Sequence, residues 1–208
     1  MSTRHNMKLN KNIIIGIIGV LIIVLVFVVN AIYNNKDNLL SGKHYVEMTV
    51  KDYGDIILEL DADTAPITVT NFINLVKDGY YDGLTFHRII EGFMIQGGAG
   101  EKTDTIKGEF EANGIENDIS HVRGVISMAR ADDFNSASSQ FFIVHEDSTS
   151  LDGNYAAFGY VIAGMDVVDE IAKVETDDPK GIVDLDKRPV IESIKVIEVG
   201  ETLNVNYN

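Results

Sequence analysis

The chain has 208 residues, no cysteine, and 17 basic against 32 acidic residues, which gives a net charge of -15. This acidic balance argues against nucleic-acid binding, because a nucleic-acid binder needs a basic face to neutralise phosphates. The lack of cysteine excludes disulfides, zinc ribbons and thiol nucleophiles. A hydrophobic content of 45% excludes a chain that is disordered throughout.

The first feature along the chain is an apolar run at residues 13–29, which contains no polar side chain. Extended to residue 32, the run is long enough for a helix of about 30 Å, the thickness of the hydrocarbon layer of a bilayer. A helix buried in a soluble core would still show a polar stripe. The run therefore predicts a transmembrane helix at residues 13–32.

The residues around this run predict its orientation. Arg4, Lys8 and Lys11 precede it, and no acidic residue does, so the positive-inside rule places the start in the cytoplasm and the rest outside. A cleaved signal peptide is the alternative, since residues 29–31 resemble a small-x-small cleavage site. We expect an uncleaved single-pass anchor in the cell membrane, because the run exceeds the usual apolar region of about 7–15 residues in a signal peptide.

The rest of the chain divides by composition. A polar stretch without apolar periodicity follows the run, and from His44 the chain acquires the patterns of a folded domain. The predicted parts are a cytoplasmic basic segment (1–12), the transmembrane anchor (13–32), a tether (33–43), an extracytoplasmic folded domain (44–200) and a C-terminal tail (201–208).

The folded domain begins with a hairpin and a helix. Apolar and polar residues alternate in His44–Val50 and Gly54–Leu60, and turn residues separate the two runs, which predicts a β-hairpin. In the helix that follows, Thr64 is the predicted N-cap and Pro66 suits the first turn. Gly79 is the predicted end of that helix.

Short runs separated by Gly, Asp and Asn make up most of the remainder. Met165–Val174 has the periodicity of a second helix. The other runs are predicted strands: Leu84–Ile90, Phe93–Gln96, Val125–Ala129, Gln140–Val144, Ala157–Val161 and Arg188–Val199. Many short strands with two helices predict a mainly β fold, a closed antiparallel barrel with helical caps.

Several kinds of functional site find no support. The five histidines have no metal-ligand spacing, and no G-x-S-x-G motif of a serine hydrolase occurs. The acidic stretch at residues 176–186 lacks the register of a calcium loop. We expect that stretch to be a solvated acidic loop, and we expect no metal and no other cofactor.

The segment FHRIIEGFMIQGG, which begins at Phe86, carries the strongest signal of chemistry. On an extended strand, Phe86, Arg88 and Ile90 share one face, so a guanidinium points the same way as two apolar side chains. Two more apolar blocks with polar neighbours follow at residues 127–130 and 139–144. Together they predict an apolar slot rimmed by one guanidinium and two amides, without a nucleophile, which suits binding or distorting a peptide.

FHRIIEGFMIQGG, GVISMAR, SSQFFIV and LDGNYAAFGYV, in this order, resemble the signature blocks of the cyclophilins, which are peptidyl-prolyl cis-trans isomerases. The resemblance covers roughly residues 44–200. It implies a closed eight-stranded antiparallel barrel capped by two helices. It also implies an enzyme without a cofactor, whose partners are proline-containing segments of unfolded or folding proteins. The predicted anchor and its orientation indicate that these partners are exported proteins.

The resemblance also assigns roles to single residues. The catalytic arginine of the family matches Arg88, and the amide that holds the substrate backbone matches Gln96. Groove positions beside the pocket match Ala129 and Gln140. Tyr155 lies near the position of a histidine of the family and is also assigned to the substrate groove. The hydrophobic pocket for the proline ring matches Phe93, Met94, Phe142 and Leu151.

The chain departs from the family pattern at four positions. Glu91 replaces a proline, Arg130 replaces an asparagine that contacts peptide backbone, Ser150 replaces a tryptophan, and the family histidine is absent near Tyr155. The last two changes imply weakened binding of cyclosporin A. A non-catalytic proline-peptide binder or holdase on the same fold is the alternative function, and the retention of Arg88 together with Gln96 and Phe142 favours the enzyme.

Overall fold

The computed structural model describes residues 23–25 and 39–197. The predicted transmembrane segment at 13–32 lies outside these residues except for 23–25, which are helical, and the predicted segment 1–12 and tail 201–208 lie outside them entirely. Among the described residues, no helix combines the length and apolar character needed to cross a membrane.

Eight strands and two α-helices make up the described part of the domain, and the predicted hairpin, helices and later strands are confirmed with small shifts at their ends. The strands are β1 (Lys43–Val50), β2 (Gly54–Asp61), β3 (Phe86–Ile90), β4 (Met94–Gly97), β5 (Val125–Met128), β6 (Phe141–Val144), β7 (Ala157–Ala163) and β8 (Ile191–Ile197); the helices are α1 (Pro66–Lys77) and α2 (Met165–Ala172).

The start of α1 differs from the prediction. Its N-cap is Ala65, which has no side chain to accept a hydrogen bond, and Thr64 bonds instead to Asp61. The buried carboxylate of Glu109 accepts the free backbone N–H groups of Ile67 and Thr68, at 2.9 and 2.7 Å. A cap from a distant loop therefore replaces the local cap that the sequence suggested.

The end of α1 follows the prediction. Gly79 has a φ of +66°, and its N–H bonds to the carbonyl of Val76 while the N–H of Tyr80 bonds to that of Leu75. This pair of bonds is a Schellman motif, which needs a left-handed residue that glycine supplies without strain.

All eight strands form one antiparallel sheet in the order β3-β4-β6-β5-β7-β2-β1-β8. The sheet is curled and open, so the predicted closure of the barrel is wrong. In the described part of the chain, no strand ladder joins the two ends, which are connected by an isolated bridge between Thr85 and Val190 and a neighbouring bond from the N–H of Gly83 to the carbonyl of Ile191. The chain before β8 is irregular there, with a 3-10 turn at Leu185–Lys187 and with Pro189, which has no N–H to donate.

The sheet separates two apolar clusters. Phe141 and Ile143 of β6 point into the main core, which also contains Phe72 of α1 and Ile171 of α2. The alternate β6 residues, Phe142 and Val144, belong to a second cluster with Met94, Ile119, Val125 and Ala157. The central strands are thus buried on both faces, and the second cluster forms the floor of the candidate site.

Candidate active site

One cavity of about 200 Å³ lies over the second cluster. All of the predicted site residues except Gln140 line this cavity, and Arg130, which was not among them, lines it too. Its lining residues are Arg88, Phe93, Met94, Gln96, Ala129, Arg130, Phe142, Leu151 and Tyr155.

Strand register aligns three of these residues. Arg88 of β3 is paired with Gln96 of β4, and Gln96 is paired with Phe142 of β6. Cross-strand partners on one face lie about 5 Å apart. A cation, an amide and an aromatic ring therefore form one row across three adjacent strands.

Phe86 does not share the face of Arg88, which corrects the prediction. The pairing of β3 with β4 shifts between Phe86 and Arg88, so an extra residue interrupts the alternation. Phe86 is consequently buried in the main core, while Ile90 packs on the second cluster. A bulge that redirects a side chain next to a cavity is a common way of placing a functional group.

The guanidinium of Arg88 is held by several contacts. Its Nε–H donates to the carbonyl oxygen of Lys180 at 2.8 Å, and Nη1 donates to Oε1 of Gln96 at 3.2 Å. Nη1 also lies 3.8 Å from Sδ of Met94. The Gln96 amide in turn donates to Oε1 of Gln140 at 3.0 Å, so the orientation of the arginine is linked to both predicted amides.

Gln140 lines a neighbouring cavity of about 290 Å³. This cavity shares Gln96, Ala129 and Arg130 with the first one. The two cavities are therefore neighbours that meet at these three residues. The other lining residues of the neighbouring cavity are Ala131, Ser136 and Ser138.

The wall residue Phe142 rests on a buried histidine. The rings of His121 and Phe142 stack with centroids 6.0 Å apart, and Tyr155 meets Phe142 edge-on at 5.9 Å. His121 Nδ1 bonds to the carboxylate of Asp152 at 2.8 Å and Nε2 lies 2.9 Å from Oγ of Ser127. Because a carboxylate only accepts, the proton is on Nδ1, and Ser127 donates to Nε2.

Burial and hydrogen bonds set the charge states of His121 and Asp152 beneath Phe142. Burial lowers the pKa of His121, and the hydrogen bond and charge of Asp152 only partly oppose that effect, so the ring favours its neutral form. Burial alone would raise the pKa of Asp152, but hydrogen bonds from Ser120 and His121 outweigh it and lower the pKa below its ordinary value. The aspartate is thus a fixed anion that holds one tautomer of the histidine.

A second histidine, His87, directly precedes Arg88 on β3. Burial, followed by the positive charges of Arg188 and Arg88, lowers the pKa of His87 below its ordinary value. A neutral imidazole beside the arginines avoids a cluster of three positive charges.

Arg130, the second cation at the cavity, is enclosed by aromatic rings. Its guanidinium carbon lies 4.8 Å from the ring centre of Tyr155, 4.9 Å from that of Phe134 and 5.2 Å from that of Phe110. Its Nε donates to the carbonyl of Asn154 at 3.0 Å, and Nη1 donates to the carbonyl of Ala131 at 2.8 Å. This side chain holds loops together around Tyr155.

The structure adds Arg130 and His121 to the residues that the sequence had assigned to the site. Arg130 was visible in the sequence only as a departure from the family pattern, and nothing local marks His121. The described residues that line the first cavity include no carboxylate, histidine or thiol. The arrangement can bind an apolar ring and present hydrogen-bond donors to the polar atoms of the molecule that carries the ring.

Comparison with known proteins identifies the family. Residues 45–201 match the family model described as cyclophilin type peptidyl-prolyl cis-trans isomerase/CLD. Peptidyl-prolyl cis-trans isomerase A of Dickeya dadantii is 40% identical over 70% of this chain and 80% of its own length. Peptidyl-prolyl cis-trans isomerase B of Escherichia coli is 39% identical over 71% of this chain and 96% of its own length.

Solved structures agree. A cyclophilin-type isomerase of Cryptosporidium parvum, 28% identical, superposes with a TM-score of 0.66 over 76% of this chain and 99% of its own. A second crystal structure of that protein, with a TM-score of 0.64 over 74% of this chain and 99% of its own, was determined in the presence of the dipeptide Ala-Pro. The prediction of an isomerase is confirmed: the chain belongs to the cyclophilin-type family of peptidyl-prolyl cis-trans isomerases.

Proposed function

We propose that the domain accelerates cis-trans isomerisation of X-Pro bonds in exported proteins as they fold at the outer face of the cell membrane. The observation that carries the proposal is the row of Arg88, Gln96 and Phe142 along one cavity. An X-Pro bond isomerises unaided over tens to hundreds of seconds, which is slow enough to limit folding.

The cavity walls suit the substrate. Phe93, Met94, Phe142 and Leu151 supply the apolar surface that would take the proline ring, and Gln96 supplies an amide for the flanking peptide. The Ala-Pro dipeptide of the Cryptosporidium structure supports a proline-containing ligand for this fold. No covalent intermediate is needed, because only a rotation takes place.

Arg88 is the proposed catalytic residue. Rotation about the X-Pro bond breaks amide resonance, so the proline nitrogen regains its lone pair and becomes a hydrogen-bond acceptor. A donor placed at that nitrogen stabilises the twisted state more than either planar state, which is the condition for catalysis. An arginine suits this task because it keeps its charge and presents donors in a fixed plane.

One hydrogen bond does not supply the whole effect. An acceleration of about 10⁵-fold needs about 7 kcal/mol at 1.36 kcal/mol per tenfold. A charge-assisted bond contributes about 1.5–3 kcal/mol. Orientation of the peptide and removal of water from the cavity must contribute the rest.

The alternative is a holdase that binds proline peptides without turning them over. The two functions differ in one measurement: isomerisation of a proline peptide by the purified full chain in detergent. Acceleration that Arg88→Ala removes while peptide binding persists supports the enzyme. Binding without acceleration by the wild-type chain would favour the holdase.

The proposed location depends on the apolar segment at residues 13–32 and on Arg4, Lys8 and Lys11 before it. We expect the protein to stay in the membrane fraction at high salt and to leave only with detergent, because a long apolar run partitions into lipid. Salt should have little effect, since an acidic domain is not attracted to anionic lipid. If N-terminal sequencing of the mature protein begins at Ile32, the segment is cleaved and the predicted anchor is wrong. The predicted export of the domain would still hold.

Cyclosporin A is a proposed ligand of low affinity. Ser150 is exposed in the 3-10 turn that also carries the wall residue Leu151, and it lacks the apolar area and N–H of an indole. Ser150→Trp should therefore raise the affinity for the drug by about tenfold, with little change in turnover. Equal inhibition of the wild type and Ser150→Trp would show that this position does not contact the drug.

A further inference from the structure

The acidic stretch at residues 176–186 directly contacts Arg88, the proposed catalytic residue. From the sequence we expected this stretch to be only a solvated loop. Its backbone carbonyl at Lys180 accepts the Nε–H of Arg88 at 2.8 Å. The second bond of the guanidinium, from Nη1 to Gln96, comes from the neighbouring strand. Because a guanidinium is planar, two bonds to different atoms of the group fix both its position and the tilt of its plane.

Asp178 shapes the turn that presents this carbonyl. Its Oδ1 accepts the backbone N–H of Lys180 at 2.8 Å and lies 3.4 Å from that of Ile182. Its own carbonyl accepts the N–H of Gly181 at 2.9 Å. A side chain that bonds to the backbone two residues later forms an Asx turn, which holds the intervening peptide in one orientation.

The turn is attached to β3 on both sides of Arg88. The N–H of Ile89 donates to the carbonyl of Gly181 at 2.8 Å, and the N–H of Val183 donates to that of His87 at 3.0 Å. Gly181 has a φ of +81°, and a Cβ there would meet the carbonyl oxygen of Ile89 at 2.5 Å. The glycine thus permits an approach of turn to strand that another residue would prevent.

The neighbouring Asp177 provides a contrast. It has the same charge, is also exposed and directly precedes the turn, but its carboxylate makes no hydrogen bond to the described residues. The bonds to Oδ1 of Asp178 are therefore a property of that side chain and not of acidity in general.

We propose that Asp178 is a positioning residue for isomerisation: it shapes the 178–182 turn so that the Lys180 carbonyl holds Arg88 at the cavity. The inference rests on the proposed function of Arg88 as the donor to the proline nitrogen. Asp178 does not itself line the first cavity, so its effect is expected on turnover and not on binding.

The test compares Asp178→Ala, Asp178→Asn and Asp177→Ala in the full chain in detergent, with kcat and KM separated by NMR exchange on a proline peptide. Asp178→Ala should lower kcat about tenfold, because small displacements of a catalytic group have effects of this size. Its KM should stay within about twofold of the wild-type value. Asp178→Asn, which keeps the accepting oxygen, should recover most of the turnover, and Asp177→Ala should match the wild type.

A second readout follows Arg88 without relying on activity. The Nε–H resonance of Arg88, assigned by its loss in Arg88→Lys, should exchange with water slowly in the wild type and in Asp177→Ala. It should exchange faster in Asp178→Ala, because the bond to Lys180 is weakened. Unchanged exchange or unchanged kcat in Asp178→Ala overturns the proposal. An inactive wild-type chain overturns the proposed function instead, and the exchange rates then decide separately whether Asp178 positions Arg88.

Discussion

Arg88 and Arg130 line the same cavity, and they are held in different ways. Arg88 extends from β3 and bonds to one carbonyl and one amide at the strand row. Arg130 follows the end of β5 and is enclosed by Phe110, Phe134 and Tyr155, with bonds to loop carbonyls. Both side chains use Nε and Nη1 for bonds to the protein, so the difference lies in the three aromatic rings that surround only Arg130. A cation that lines a cavity can therefore serve mainly to hold the walls together.

The largest effect should come from Arg88→Ala. We expect kcat/KM to fall about 100-fold, or about 2.7 kcal/mol, because loss of a donor to a developing acceptor has this magnitude. The domain should stay folded, since Arg88 is half-buried at the cavity edge. Circular dichroism and an isomerisation assay test both statements. If the folded Arg88→Ala variant kept near-wild-type turnover, Arg88 would not be catalytic, and the two arginines would not differ in their roles.

Phe142→Ala should weaken the wall that both arginines face. Phe142 is only 5% exposed, and truncation of a buried phenylalanine costs about 3–5 kcal/mol of unfolding free energy. We expect a value near 3 kcal/mol because the ring also borders a cavity, and we expect peptide affinity and turnover to fall together. Urea unfolding and calorimetric titration measure the two effects. Phe142→Leu, the control, should retain most of both, and full activity in Phe142→Ala would place the ring outside the substrate pocket.

Arg130→Ala should act on binding more than on turnover. The three rings around the guanidinium lose a cation–π partner, a change of about 1 kcal/mol, so KM should rise about fivefold while kcat stays within about twofold. Arg130→Lys should give an intermediate KM, because lysine keeps the charge without the planar group. If Arg130→Ala lowered kcat as strongly as Arg88→Ala does, the assignment of different tasks would be wrong.

The support beneath Phe142 predicts a pH dependence of stability. The lowered pKa of His121 means that the unfolded chain takes up a proton before the folded one does as the pH falls. Stability is therefore full above the ordinary histidine pKa of about 6.5 and declines below it, by at most about 1.4 kcal/mol per pH unit. Urea unfolding between pH 7.5 and about 5 should show a shallower decline for His121→Gln. Since the pKa of His87 is also lowered, part of the slope should persist, and identical slopes would contradict the role of His121.

Local patterns predicted the elements of this fold because alternation and helical spacing leave a direct mark on the sequence. The errors arose where a distant residue decided the outcome. Glu109 caps α1 from far along the chain, and β3 and β8, which are far apart in sequence, form the two open ends of the sheet. No local pattern encodes such contacts.

The site was predictable in composition and less so in geometry. Signature blocks identified the residues that line the cavity, because the family keeps their order. A bulge beside His87 separated Phe86 from Arg88, and the carbonyl that holds Arg88 belongs to Lys180, in a stretch that had suggested only a solvated loop. Backbone carbonyls have no sequence signature, so contacts of this kind require the folded structure.

The pairing of β1 with β8 has a consequence for how the domain is made. Tyr45 lies opposite Ile197, so the first strand completes its hydrogen bonds only when the last one arrives. Synthesis makes the N-terminal end first, so the sheet cannot be completed until nearly the whole domain has been made. The hairpin of β1 and β2 must wait with both outer edges unpaired until β7 and then β8 are made, and such edges are prone to pair with other chains. This topology favours slow completion and a period of exposure to aggregation during synthesis.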